Sequence, residues 1–269
     1  DDGIQAINIG TGALSITTTG TTTGDTDNGI NVVNSSVGTD LTVNAATTTG
    51  ADDGIKADNY GSGALSITTT GTTTGDAYDG IDAVNSSAST DLTINAATTT
   101  GNENGINAVN NGSGALSITT TGTTTGTADD GIVANNSSAG TDLTINAATT
   151  TGADEGINAD NNGSGALSIT TTGTTTGETD DGIVANNSSD GTDLTINAAT
   201  TTGAGDGIYA YNFGSGALSI TTTGTTTGTA YDGIDAYNLS ASTDLTINAA
   251  TTTGADDGIE ADNYGSGAL

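Results

Sequence analysis

The sequence predicts an all-β fold, a parallel β-helix (β-solenoid) of about 25–26 residues per coil with three short strands in each coil. Three observations carry that expectation. A Gly-Ile pair recurs along the chain, with its isoleucine at Ile4, Ile30, Ile55, Ile81, Ile106, Ile132, Ile157, Ile183, Ile208, Ile234 and Ile259, at steps alternating between 26 and 25. Two unlike units therefore make a 51-residue super-repeat, and ten complete units are followed by part of an eleventh. Inside each unit the apolar positions recur every second residue, the period of a strand with one buried face. The composition suits a narrow interior: 32% of residues are hydrophobic, 3% are aromatic, and Met, Trp, Cys and Pro are absent.

In chain order, one unit reads "GIKADNYGSGALSITTTGTTTG" over 54–75 and the other "GIDAVNSSASTDLTINAATTTG" over 80–101. The first strand is Ile-x-Ala, as in Ile55 and Ala57 alternating with Lys56 and Asp58. An asparagine follows four places after every marker isoleucine: Asn8, Asn34, Asn59, Asn85, Asn110, Asn136, Asn161, Asn187, Asn212, Asn238 and Asn263. Asparagine caps turn groups and can join amides above and below it, so this series is expected to be a structural ladder at the first turn. Several members also begin N-x-S/T triplets, such as Asn34-Ser35-Ser36, but the strict period accounts for them better as a ladder. The second strand is Leu-x-Ile or Leu-x-Val, as in Leu65 and Ile67 or Leu41 and Val43. The third is Thr-Thr-Thr-Gly, recurring from 21–24 to 251–254; β-branched threonine suits a pleated surface, and stacked hydroxyls are expected to hydrogen-bond along the rod. The intervening turn breaks the parity count and leaves open which threonines face inward. With coils stacked at about 4.8 Å, ten and a half of them make a rod of about 50 Å.

An acidic turn precedes each Gly-Ile, as in "ADDGI" at 51–55 and "ETDDGI" at 178–183. Stacking would place Asp53, Asp79, Asp130, Asp181, Asp206, Asp232 and Asp257 in a column, with a second column through Asp40, Asp91, Asp142, Asp193 and Asp244. Carboxylates about 4.8 Å apart repel by nearly 1 kcal/mol per pair in water. Calcium, which takes six to eight oxygen ligands, is the cofactor that would relieve them. The glycine-rich nonapeptide of calcium-binding β-rolls is missing, and the plainer expectation is a solvated acidic edge that keeps the rod soluble. Tyr209, Tyr211 and Tyr237 occupy outward positions of the first strand in adjacent units and form a candidate contact surface for a sugar. The threonine side is a candidate ice-binding face.

Charge and composition exclude several classes. Lys56 is the only basic residue against 32 Asp and Glu, a net charge of −31, which repels phosphate and anionic lipid and argues against nucleic-acid or membrane partners. No run approaches the roughly 18 apolar residues of a membrane span. Without His, Cys or Arg, the chain has no Ser–His or Cys–His nucleophile pair, and acids repeated on every coil mark no single reaction centre. The expectation is therefore not an enzyme, with a carbohydrate-active β-helix the least favoured alternative.

Residues 52–75, "DDGIKADNYGSGALSITTTGTTTG", resemble the repeats of bacterial autotransporter passenger regions and of filamentous-haemagglutinin-like adhesins, and the likeness in repeat style extends over the whole chain. The resemblance implies a right-handed β-helix, exported by a Gram-negative bacterium and displayed at its surface as a fibre, stalk or adhesin. Its partners would be host or neighbouring-cell surfaces or glycans. The chain is expected to form one continuous solenoid over 1–269, a segment of a longer protein or a filament subunit whose unpaired strand edges join end to end.

Overall fold

Isoleucine, valine and threonine carry two heavy atoms on Cβ and favour extended backbone, and the glycine, serine and asparagine clusters between them permit the corners. In the structure, a computed structural model that describes residues 1–86, 88–137, 140–188, 191–239 and 243–269, each coil accordingly has three strands. One coil runs Ile55–Asn59, Leu65–Thr69 and Thr72–Gly75; the next runs Ile81–Asn85, Leu92–Ala96 and Thr98–Gly101. Among the described residues there is no helix.

The strands pair only in parallel, each with its counterparts one coil before and after, which makes the molecule a right-handed parallel β-solenoid. The first face is an 11-stranded sheet that takes one strand from every coil in chain order, from Ile4–Asn8 to Ile259–Asn263. The second and third faces form one 18-stranded sheet, because Leu218–Gly228 and Leu245–Thr253 run round the corner between them without a break. Most inward positions stack like on like: Ile55 pairs with Ile81, Ala57 with Ala83 and Asn59 with Asn85. On the other faces Leu65 pairs with Leu92, Ile67 with Ile94 and Thr73 with Thr99.

Each coil sends the same small set of side chains inward. In one, Ile106 and Ala108 come from the first face, Leu116 and Ile118 from the second and Thr124 from the third, and all are fully buried. Burying each isoleucine or leucine contributes about 1.5–3 kcal/mol, and no coil can do so without neighbours above and below.

The structure decides the threonine question. The middle residue of Thr-Thr-Thr-Gly points inward and the two flanking threonines point out, as the burial of Thr48, Thr73, Thr99, Thr124, Thr150, Thr175, Thr201 and Thr226 shows. Sequence parity fails here because the corner differs between units. One unit spends Thr70 and Gly71 between its second and third strands where the other has only Ala97, and the register of Leu218–Gly228 against Leu245–Thr253 shifts between Thr222 and Thr225. The expected axial hydrogen bonding of these inward hydroxyls does not occur: all eight lack a hydrogen-bond partner among the described residues. The physical reason is spacing, since coils about 4.8 Å apart hold equivalent oxygens beyond hydrogen-bond reach. Their methyl groups fill the space beside the Gly-Ile glycines instead; a Cβ on Gly105 would stand 2.6 Å from Cγ2 of Thr124.

Candidate functional site

Two polar columns run the length of the rod, one at each of two corners. At the corner after the first strand, the eleven asparagines from Asn8 to Asn263 form an unbroken line. The Nδ2 of each donates to the Oδ1 of the next, at 2.8 Å for Asn8 to Asn34 and 3.1 Å for Asn238 to Asn263. Between them, Asn34, Asn59, Asn85, Asn110, Asn136, Asn161, Asn187 and Asn212 bond to their successors at 2.9–3.0 Å. The second Nδ2 proton closes the turn, as when Asn59 donates to the Gly63 carbonyl at 3.0 Å and Asn85 to the Thr90 carbonyl at 3.0 Å. In the unit with the Gly-Ser-Gly turn, Oδ1 also accepts a backbone N–H two residues on, Gly61 onto Asn59 at 3.1 Å. From Asn34 to Asn238 these amides are buried and satisfied, and they join coil to coil.

The second column stands immediately before the Gly-Ile pair, and here the structure corrects the picture of a solvated acidic edge. Asp53, Asp79, Asp130, Asp206 and Asp232 are buried, Asp181 is half-buried and Asp257 is exposed. Their Oδ1 atoms turn along the axis to accept the backbone N–H of the same position in the next coil: Asp79 onto Asp53 at 3.0 Å, Asp206 onto Asp181 at 2.6 Å, Asp232 onto Asp206 at 2.6 Å and Asp257 onto Asp232 at 2.7 Å. Asn28 and Asn104 do the same for Asp53 and Asp130 at 3.1 Å each. Aspartate and asparagine carry an oxygen at the same distance from the backbone, which explains why they interchange there. Burial pushes the Asp53 and Asp181 carboxyls up to about 6 against the opposing pull of those backbone bonds, and raises Asp79 and Asp206. Burial and a hydrogen bond to Asp130 push Glu155 up to about 9.

The series Asp40, Asp91, Asp142, Asp193 and Asp244 acts differently. Each accepts the N–H of an alanine in the next coil, Ala64 through Ala268, at 2.8–3.0 Å. One per two coils leaves about 10 Å between members, too far to share an ion.

Of the seven candidate metal-ligating aspartates, two are brought into groups whose carboxylate oxygens lie within 4.8 Å of one another: Asp130 with Asp129 and Asp154, and Asp232 with Asp235 and Glu260. Asp53, Asp79, Asp181, Asp206 and Asp257 join no such group among the described residues. Asp53 instead faces the Lys56 ammonium, whose Nζ lies 3.5 Å from its Oδ2 and 2.6 Å from Asp82 Oδ2, in a cleft of about 320 Å³. Sequence reasoning missed Asp129, Asp154, Asp235 and Glu260. Asp235 and Glu260 were legible in principle, since both occupy the residue after a marker isoleucine in consecutive units and are register partners.

Tyr209, Tyr211 and Tyr237 do come together on the first face, and Phe213, which the sequence reading overlooked, extends the patch. Ring centroids lie 5.6 Å apart for Tyr209 and Tyr211, 4.9 Å for Tyr211 and Tyr237, and 4.9 Å for Tyr211 and Phe213. The tyrosines are half-buried against one another, and Phe213 stays 46% exposed. Phe213 lies one residue past the column asparagine, where outward alternation continues beyond the strand.

The sheets and columns together define a β-solenoid repeat protein. Compared with known proteins, the chain matches no protein-family model, no curated sequence and no solved structure.

Proposed function

We propose that the chain is a non-enzymatic structural rod, a stiff spacer within an extracellular bacterial surface fibre or adhesin stalk that meets a host or neighbouring cell or its glycans. The observation that supports this reading is the asparagine column, continuous through eleven coils and alike in each. Uninterrupted coil-to-coil bonding stiffens the whole length and singles out no coil as a reaction centre. The net charge of −31 keeps such rods apart and dissolved. The decisive experiment places the chain between a surface anchor and a known adhesive module on a bacterial cell. Replacing it with an unrelated solenoid of equal length should preserve adhesion, and halving the number of coils should reduce it. Adhesion lost on the equal-length swap would refute the spacer role and assign binding to the rod's own side chains.

A second reading rests on the outward threonines. Two per coil, about 7 Å apart along the strand and about 4.8 Å apart between coils, form a regular hydroxyl-and-methyl lattice on the third face. Such a lattice suits an ordered water surface. The purified rod should then show thermal hysteresis, which substituting lysine for outward Thr123 and Thr149 would abolish; no hysteresis from the native rod removes this reading.

A further inference from the structure

The residue after each marker isoleucine lies beside the aspartate column, and in several coils it supplies a donor to the outer carboxylate oxygen. Gln5 donates to Asp2 Oδ2 at 3.0 Å, Asn31 reaches the same oxygen at 3.4 Å, and Asn158 donates to Asp130 Oδ2 at 3.3 Å. In the coil that begins at Gly54 the donor is the ammonium of Lys56, seated between Asp53 of its own coil and Asp82 of the next. The arrangement inverts in the coil that begins at Gly233. There the two equivalent positions are Asp235 and Glu260, so Asp232 meets two carboxylates where those coils offer amides or an ammonium and others place Val133 or Val184. A carboxylate oxygen from each of the three lies within 4.8 Å of the others.

Acid clusters on an exposed turn are ordinary. What separates this one is Asp235: the residue is only 9% exposed, and its Oδ1 is buried without a hydrogen-bond partner among the described residues. The groups that face it are Asp206 and Asp232 of the aspartate column, Glu260 and Asp262 of the following strand, and Tyr209, its register partner in the preceding coil. None of these brings positive charge, and the chain's only lysine is bound elsewhere. We propose that Asp232, Asp235 and Glu260 form a site for one divalent cation of the hard, oxygen-preferring class such as Ca²⁺, occupying the place that the Lys56 ammonium takes between Asp53 and Asp82. Three carboxylates from two successive coils supply part of the six to eight oxygens such an ion takes, with water completing the shell. The ion would tie adjacent coils together at a point where the bare charges push them apart.

The neighbouring tyrosines provide the readout. Tb³⁺, a luminescent substitute for Ca²⁺, would be sensitised by exciting Tyr209 and Tyr237 beside the site. Titrating the intact chain should give saturable emission at one equivalent that Ca²⁺ displaces. Asp235→Asn and Glu260→Gln should each weaken binding at least tenfold, while Asp129→Asn in the other acidic group leaves it unchanged. A melting experiment closes the test independently. Ca²⁺ should raise the native melting temperature, and Asp235→Lys, which rebuilds the Lys56 arrangement, should raise it in chelator and abolish the response to Ca²⁺. Emission that climbs without saturating, or that Asp235→Asn leaves as strong as in the native chain, would overturn the site. A melting temperature indifferent to Ca²⁺ would do the same.

Discussion

An inward threonine and a column asparagine are both polar side chains taken out of water, yet they behave oppositely. The Asn136 amide reaches Asn161 at 3.0 Å and the Thr141 carbonyl at 3.1 Å and accepts from Asn110 at 3.0 Å. The Thr124 hydroxyl finds no partner among the described residues. The amide is long enough to bridge two coils and the hydroxyl is not. Replacing Thr124 with valine keeps the shape, removes an unpaired buried group and should stabilise the rod by about 1 kcal/mol, read as a higher midpoint in urea. A lower midpoint would mean that the hydroxyl has a partner after all. Asn136→Ala should cost about 2–3 kcal/mol, because it removes the buried bonds to Asn110, Asn161 and Thr141 together and leaves one Asn110 Nδ2 proton unpaired. The same change at half-exposed Asn8, with one neighbour only, should cost less than about 1 kcal/mol on the same scale.

At the scale of an element, the acidic corner sets how the rod answers pH. Asp53 and Asp181 sit near 6 in the folded chain, above the value of about 3.9 for an unfolded aspartate. Between those values the folded state holds protons that the unfolded state has released, so folding is favoured as pH falls. The penalty of the buried charge is fully present above about pH 6 and is relieved as pH drops towards 4. Glu155, near 9, extends the same trend upward. The melting temperature should therefore rise from pH 8 to pH 4.5, the reverse of a protein held by paired carboxylates, and Asp53→Asn should flatten part of the rise. A melt that falls over this range would contradict the buried column. Glycine marks the tightness of this corner: a Cβ on Gly101 would stand 1.8 Å from the Asn104 carbonyl oxygen. Gly101→Ala is accordingly expected to disrupt the coil, while the open Gly12 tolerates alanine, by the same urea measurement.

For the whole molecule, coils that contact only their neighbours make stability a sum over repeats and interfaces. Removing one super-repeat, residues 106–156, brings Ile157 onto Ile81 where Ile106 stood and leaves every column continuous. The shortened chain should fold with the same circular dichroism per residue and be about 10 Å shorter by small-angle scattering. Collapse of the fold would show that particular coils, rather than the repeat, hold the rod together.

How much of this was legible follows from which interactions are periodic. The isoleucine steps, the alternation within strands and the invariant asparagine specify the coil, its three strands and the first corner, because stacking translates like onto like and needs nothing beyond the chain's own period. The inward threonine depended on the extra corner residue at Gly71, which shifts parity in a way that only the folded corner resolves. The aspartate column was visible as a pattern but not in its orientation: sequence cannot tell that these carboxylates turn inward to accept the N–H of the next coil. That Asp235 and Glu260 stack, and that Phe213 continues the outward side, can be read from their repeat positions, but their closure on Asp232 and on the tyrosine rings was decided by the tertiary structure, where the repeat departs from itself. Period determines what every coil shares, and contact between unlike coils decides what one coil does alone.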